Sequence, residues 1–306
     1  MLEVMATLLV IIAVGYVAGK MGYFSSEVNR QLSRIVINIT CPALILSSAM
    51  TGVLPDRKYI LPLLLISFIS YVILIALGLF IPKLITQDKT LRGVMGFSMI
   101  FGNVGFMGYP VVASLFGYDS VFYAAVLNVV NTLAVFTVGT LFLTGNKGLE
   151  KGGFEKKILY STPMIAAYIT IAIVALGIDN IPSFISQPLT TLGNFTIPAA
   201  LLIIGASISS MPVKSMFNDA TVYIVAALRL AIMPIVVFLI TSFLHFSEFV
   251  ISINMLVIAM PVATYGTILC LKYKKNTSFI TKVTFVTTLL SIFTIPLLTR
   301  LFLRIY

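Results

Sequence analysis

Polar residues along this chain come in short clusters, and between them apolar residues run on long enough to cross a bilayer. A spanning helix needs roughly 20 mostly apolar residues. Such runs predict ten helices, at about 2–19, 29–50, 58–82, 92–116, 119–144, 159–178, 187–209, 219–244, 249–272 and 279–303. The runs are unbroken rather than alternating, which argues against the strands of a membrane barrel. The first run begins with Glu3, has no basic segment before it and leads into further apolar runs. It therefore reads as span 1 and not as a cleaved leader. The predicted fold class is an all-α integral membrane protein.

Composition supports this reading and excludes others. Of 306 residues, 59% are hydrophobic and 10% charged, whereas soluble domains carry about 25% charged residues. The net charge of +10 does not indicate nucleic acid, because nucleic-acid binders display Lys and Arg on a solvated face that this chain lacks. Two cysteines exclude a disulfide scaffold, and one His with two distant Cys excludes a zinc site. No cofactor is expected.

The basic residues instead report topology. With loops assigned alternately to two sides, fifteen of the twenty Lys and Arg fall on one side: Lys20, Arg30, Arg34, Lys83, Lys89, Arg92, Lys147, Lys151, Lys156, Lys157, Lys214, Lys272, Lys274, Lys275 and Lys282. The positive-inside rule makes that side cytoplasmic, so both termini are expected outside the cell membrane.

An internal repeat follows. Asn38, Thr40, Pro42 and Ala43 in span 2 match Asn194, Thr196, Pro198 and Ala199 in span 7, a shift of 156 residues. Pro110–Ala113 in span 4 resembles Pro261–Thr264 in span 9 at a shift of 151, and Val126, Leu133, Phe136 and Thr137 match Val283, Leu290, Phe293 and Thr294 at 157. Each half would hold five spans, an odd number, so the second copy enters the membrane from the opposite side. The predicted organisation is a first repeat at 1–144, a cytoplasmic linker at 145–158 and a second, inverted repeat at 159–306. Inverted repeats occur in transporters, where two opposed copies can exchange conformations, and also in channels.

Spans 4 and 9 carry helix-breaking residues. Gly102, Gly105, Gly108 and Pro110 lie within nine residues, and Pro261, Thr264, Tyr265 and Gly266 occupy the matching part of the second half. Glycine weakens the helical ladder and proline removes a donor. Interrupted spans at matching positions point to a transporter's site; kinked helices with glycines for close packing are the structural alternative.

These segments resemble those of the auxin efflux carrier family and its bacterial members, within the bile-acid symporter superfamily. The resemblance rests on G-N-x-G-x-x-G-x-P at Gly102–Pro110, I-x-x-P-A-L around Pro42 with its echo at Pro198, and M-P-x-A at Met260–Ala263. It implies a scaffold domain of spans 1, 2, 6 and 7, and a transport domain of spans 3–5 and 8–10. It also implies that spans 4 and 9 unwind and cross near the membrane centre, and that the protein is a homodimer. Characterised relatives carry small organic anions such as malate, malonate or indole-3-acetate. Plant members have a long central loop; the corresponding segment here is about 14 residues, so regulation carried by that loop is not expected.

The polar inventory suits an anion. All ten carboxylates fall in loops or at span ends, so no intramembrane acid is placed to relay protons, although neutral oxygens at a broken helix could still hold sodium. Half-helix N-termini present free N–H groups and partial positive charge, and Asn103, Thr264 and Tyr265 can add donors. Spans 5 and 10 carry polar stripes, Asn128, Asn131 and Thr132, then Thr284, Thr287, Thr288 and Ser291, which serve either helix packing or, at Asn128, the ligand. Arg229 lies about ten residues into span 8, with no carboxylate at similar depth. Three partners are open to it: helix C-terminal carbonyls, the inner interface, or the substrate anion.

The candidate substrate site is Gly102, Asn103, Gly105, Pro110, Asn128, Arg229, Pro261, Thr264 and Tyr265, without catalytic residues or metal ligands. The expected function is a secondary active or facilitative transporter exporting small organic carboxylate anions by alternating access. A sodium-coupled symporter, and a channel or sensor on the same fold, are the alternatives. An intramembrane enzyme is not expected, since the spans hold no Ser–His pairing and no paired Asp. Cys41 and Cys270 read as apolar fillers.

Overall fold

The computed structural model describes residues 2–50, 54–144, 160–210 and 218–302. The predicted linker at 145–158 lies outside the described residues. Among these residues fifteen α-helices follow in chain order: α1 (Leu2–Lys20), α2 (Ser26–Ile35), α3 (Cys41–Ser47), α4 (Ile60–Ile85), α5 (Lys89–Ile100), α6 (Tyr109–Phe116), α7 (Ser120–Ala134), α8 (Thr140–Thr144), α9 (Thr162–Leu176), α10 (Ser183–Ser209), α11 (Ala220–Ala227), α12 (Met233–Ser242), α13 (Glu248–Ile258), α14 (Tyr265–Lys272) and α15 (Thr277–Phe302). Among the described residues there is no strand, only an isolated antiparallel bridge between Gly102 and Val262.

Among the described residues five helical stretches are long and apolar enough to cross a membrane: Arg57–Ile85, Ser120–Thr144, Ser183–Ser209, Ala220–Ser242 and Thr277–Phe302. Ala6–Lys20, Val104–Phe116, Thr162–Leu176 and Glu248–Ile258 are shorter apolar helices. The chain is thus a multi-pass membrane protein, helical among the described residues, and large apolar side chains such as Leu61, Phe68, Phe80 and Leu84 are exposed on α4.

Helix starts explain where several acids went. Asp88 accepts from Thr90 N–H at 2.8 Å and Asp219 from Thr221 N–H at 3.0 Å, each as an N-cap. Asp56 caps the turn Arg57–Tyr59, and its hydrogen bond with the Lys58 ammonium holds its carboxyl below the usual carboxylate range.

Among the described residues three of four π-helical turns share one arrangement. Val36–Thr40, Val104–Gly108 and Leu228–Ile232 each end two residues before a proline, Pro42, Pro110 and Pro234. A proline supplies no N–H to the carbonyl four residues back and its ring crowds that oxygen; the wider turn makes the room. Pro198, by contrast, sits inside an uninterrupted α10.

The chain divides into two compact units. The first draws on residues within 1–61, 105–129 and 157–212, the second on 62–104, 130–156 and 213–306. In the first, α1 packs along α10 with backbone against backbone: a Cβ at Gly15 would strike Leu202 O, and one at Gly205 would strike Ile12 O. Small residues permit such approach between membrane helices. On its other side α10 meets α3, with Gly193 against Leu44, while Ala199, Ala200 and Ile203 cluster with Val36. This antiparallel register brings Thr196 opposite Thr40. Both are buried, and neither hydroxyl has a hydrogen-bond partner.

In the second unit, α5 packs against α8 through Gly93 and Gly96, which leave room for Phe142. Phe97 and Phe101 lie 4.9 Å apart between ring centroids and Tyr71 stacks on Phe101 at 6.2 Å. Gly139 lets these rings approach, since its Cβ would stand 3.0 Å from both phenylalanines.

Candidate functional site

The second unit contains both interrupted segments. Helix α5 stops at Ile100, and Phe101 is already extended (φ −101°, ψ 119°). Helix α13 stops at Ile258, and α14 does not begin until Tyr265. Between these ends the two extended pieces pair. Asn103 N–H donates to Pro261 O at 2.7 Å, Ala263 N–H donates to Phe101 O at 3.0 Å, and Gly102 faces Val262. Val262 N–H finds Thr287 Oγ1 on α15 at 3.2 Å, and Val104 N–H turns back to Gly102 O at 3.0 Å. These four backbone donors at the break are thereby used, as the membrane interior favours.

The freed carbonyls at the end of α5 need donors of another kind. In a continuous helix Met99 O would accept from Asn103 N–H and Ile100 O from Val104 N–H, but those donors have gone elsewhere. Arg229 replaces them. Its Nη1 donates to Met99 O at 3.1 Å and to Ile100 O at 2.8 Å, and its Nε donates to Met260 O at 3.0 Å. One guanidinium therefore joins the C-terminal ends of both interrupted helices, where the helix dipoles favour a cation. Of the three partners open to Arg229 in the sequence, carbonyls are the ones it meets. The side chain is 0% exposed and leaves the chain from the π turn Leu228–Ile232.

Gly102 has a specific reason to be glycine. A Cβ there would collide with Arg229 Nη2 and stand 3.3 Å from Met260 O. Gly105 is different, because a Cβ would meet nothing within 4 Å. The two glycines of one motif do different work.

The candidate residues divide between the units. Gly102, Asn103, Arg229 and Pro261 come together in the second. Thr264 and Tyr265 continue the same segment and are exposed, with Tyr265 edge-on to Phe136 at 5.8 Å. Gly105, Pro110 and Asn128 belong to the first unit, where Asn128 Nδ2 donates to Tyr109 Oη at 2.8 Å beside buried Pro110. The repeat-motif residues also belong to the first unit: Asn38 donates to Arg34 O and accepts from Thr162, Pro42 follows its π turn, and Asn194 is exposed.

Two features escaped the sequence reading. Tyr71 donates to Asn131 Oδ1 at 2.7 Å and braces Phe101, but as one tyrosine in a 26-residue apolar helix it gives no pattern. Asn254, buried on α13, donates to Ser70 on α4 at 2.9 Å; a lone amide in an apolar run was the available signal.

Comparison with known proteins agrees with this membrane architecture. A family model described as membrane transport protein matches residues 1–153 and 152–299. An uncharacterized transporter of Methanocaldococcus jannaschii is 27% identical over 304 residues, covering 97% of each chain. An uncharacterized transporter of Methanothermobacter thermautotrophicus is 26% identical over 301 residues, 96% of each chain. A protein of Rhizobium meliloti named "Putative malonate transporter" is 21% identical over 295 residues, 93% of this chain and 90% of the relative.

Proposed function

The chain belongs to the membrane transport protein family and is a transporter, not an enzyme; from that premise we propose that it exports small organic carboxylate anions by alternating access. The observation that carries the anion reading is Arg229, a fully buried cation held at the paired interruptions by neutral carbonyls. Its charge is stabilised but not cancelled by an acid, so an anion near this place lowers the electrostatic cost of the site, and a cation raises it. The relative named for malonate supports a carboxylate as the cargo.

In this reading the chain forms ten spans in two inverted repeats, with spans 4 and 9 crossing at the Gly102–Val262 pairing. The family match on both halves and the repeated proline motif support it. The cytoplasmic side is the basic one, both termini lie outside the plasma membrane, and the protein works as a homodimer. Spans 3–5 and 8–10 move as the transport domain. Gly102, Asn103, Pro261, Thr264 and Tyr265 seat the substrate with Arg229 behind them.

A negative-inside potential of 100 mV favours departure of a monoanion by about 2.3 kcal/mol, so export needs no coupled ion. Sodium coupling through the interrupted helices is disfavoured, because Met99 O, Ile100 O and Met260 O already accept from Arg229. Uptake of mono- and dicarboxylates into proteoliposomes, with and without sodium and at an imposed potential, tests the proposal. Saturable, potential-driven flux with counterflow is expected. Flux that needs sodium, or that never saturates, would replace this reading with a symporter or a channel.

A further inference from the structure

Among the described residues Arg229 is the one buried charge. The recorded ion pairs, Glu27 with Arg30 and Asp56 with Lys58, all involve residues of the first unit. The described acids of the second unit, Asp88, Asp219 and Glu248, stand at helix starts: the first two as N-caps, the third in the first turn of α13. What surrounds the guanidinium is a set of carbonyl dipoles. They offset its charge locally, yet a dipole has no net charge. Carried bodily through a uniform field, the helices α5 and α13 contribute nothing, whereas the guanidinium contributes its full charge over whatever part of the field it crosses. An arginine keeps that charge at any physiological pH.

We propose that Arg229 is a resident moving charge: the empty transport unit carries one positive charge through the membrane field, and the substrate's carboxylate cancels it. The inference rests on the transport reading above and deepens it. A unit loaded with a monocarboxylate is neutral and crosses without regard to voltage. One loaded with a dicarboxylate carries one net negative charge. The negative-inside potential draws the empty, positive unit towards the cytoplasmic side, where it meets the next anion. Voltage thus acts on the return step of export. The bias reaches about 50-fold per 100 mV if the whole field is crossed, from the energy of one elementary charge, and shrinks with the share traversed.

The test uses the full chain in proteoliposomes fused to a voltage-clamped bilayer, with malonate and its monomethyl ester as probes of nearly equal size and different charge. Voltage steps without substrate should move a transient charge that saturates with voltage. Saturating monomethyl malonate should suppress it, and malonate should restore it, because a unit of one net negative charge is again driven by the field, in the opposite direction of travel. Arg229→Gln should abolish the substrate-free transient, while Arg229→Lys should keep it. Tracer flux measured on the same vesicles separates the two ideas. Carboxylate flux without a substrate-free transient, or an undiminished transient in Arg229→Gln, overturns the moving charge and leaves transport standing. Absence of saturable flux for every carboxylate overturns the transport reading and this inference with it. If Arg229→Gln does not insert, the unaltered protein decides alone: a substrate-free transient that saturating monomethyl malonate leaves undiminished overturns the moving charge.

Discussion

Pro198 lies inside a helix that runs unbroken from Ser183 to Ser209, whereas Pro261 stands in extended chain between α13 and α14. Both are prolines in apolar runs, and both remove one backbone donor. Proline alone therefore does not decide where a span opens. Around Pro198 small apolar neighbours pack closely, Ala199 and Ala200 pressed against Val36, and the helix continues past the proline. Around Pro261 displaced groups have replacements: Asn103 N–H for Pro261 O, Thr287 Oγ1 for Val262 N–H, and Arg229 for Met99, Ile100 and Met260. Unpaired backbone is costly in a bilayer, so interruptions occur where side chains from other helices can complete them.

The sharpest way to break this comparison is to remove the cation. Arg229→Met should destabilise the protein by about 3–5 kcal/mol, because carbonyls adapted to a charged donor are left buried and unmet. A scan of heat denaturation in detergent would register it as a large loss of melting temperature. A variant that melts with the unaltered protein would mean that the interruption needs no such closure.

Glycine offers the next contrast. Gly102→Ala should cost about 1–3 kcal/mol, the usual range for overpacking, since its methyl would enter the space of the guanidinium. Gly105→Ala, three residues on, should stay within about 0.5 kcal/mol, since a Cβ there meets nothing. Equal melting of the two variants would show that Gly102 is not holding room for Arg229.

This pair also marks how far the sequence could be read. Gly102, Gly105 and Pro110 were visible as a cluster of helix breakers, and the matching cluster at Pro261–Gly266 gave the position of the second interruption. The long apolar helices were visible from run length. What the letters did not carry was the partner of Arg229. Its acceptors are backbone carbonyls of Met99, Ile100 and Met260, and a carbonyl has no residue-type signature. A search for a charged partner finds none by construction. For the same reason Gly102 and Gly105 look alike in the sequence, though only one faces a guanidinium. Tyr71 stayed hidden because its phenol is one polar atom in an apolar helix.

The smallest expected effect compares two threonines that the sequence places in similar company. Thr287 Oγ1 accepts from Val262 N–H at the interruption and donates to Val283 O. Thr196 is just as buried but its hydroxyl has no partner. Replacing each by valine keeps the shape and removes the oxygen. Thr287→Val should cost about 1 kcal/mol, because the donor it served stays buried without an acceptor. Its α-helical carbonyl partner loses little, having the backbone ladder as well. Thr196→Val should be neutral or slightly stabilising, since an unpaired hydroxyl in an apolar contact is itself unfavourable. Parallel melting curves measure the difference, and its sign matters more than its size. If Thr196→Val proved the more damaging of the two, the first unit would depend on a polar contact at its motif, and the distinction between a helix that merely packs around proline and one opened at defined partners would fail.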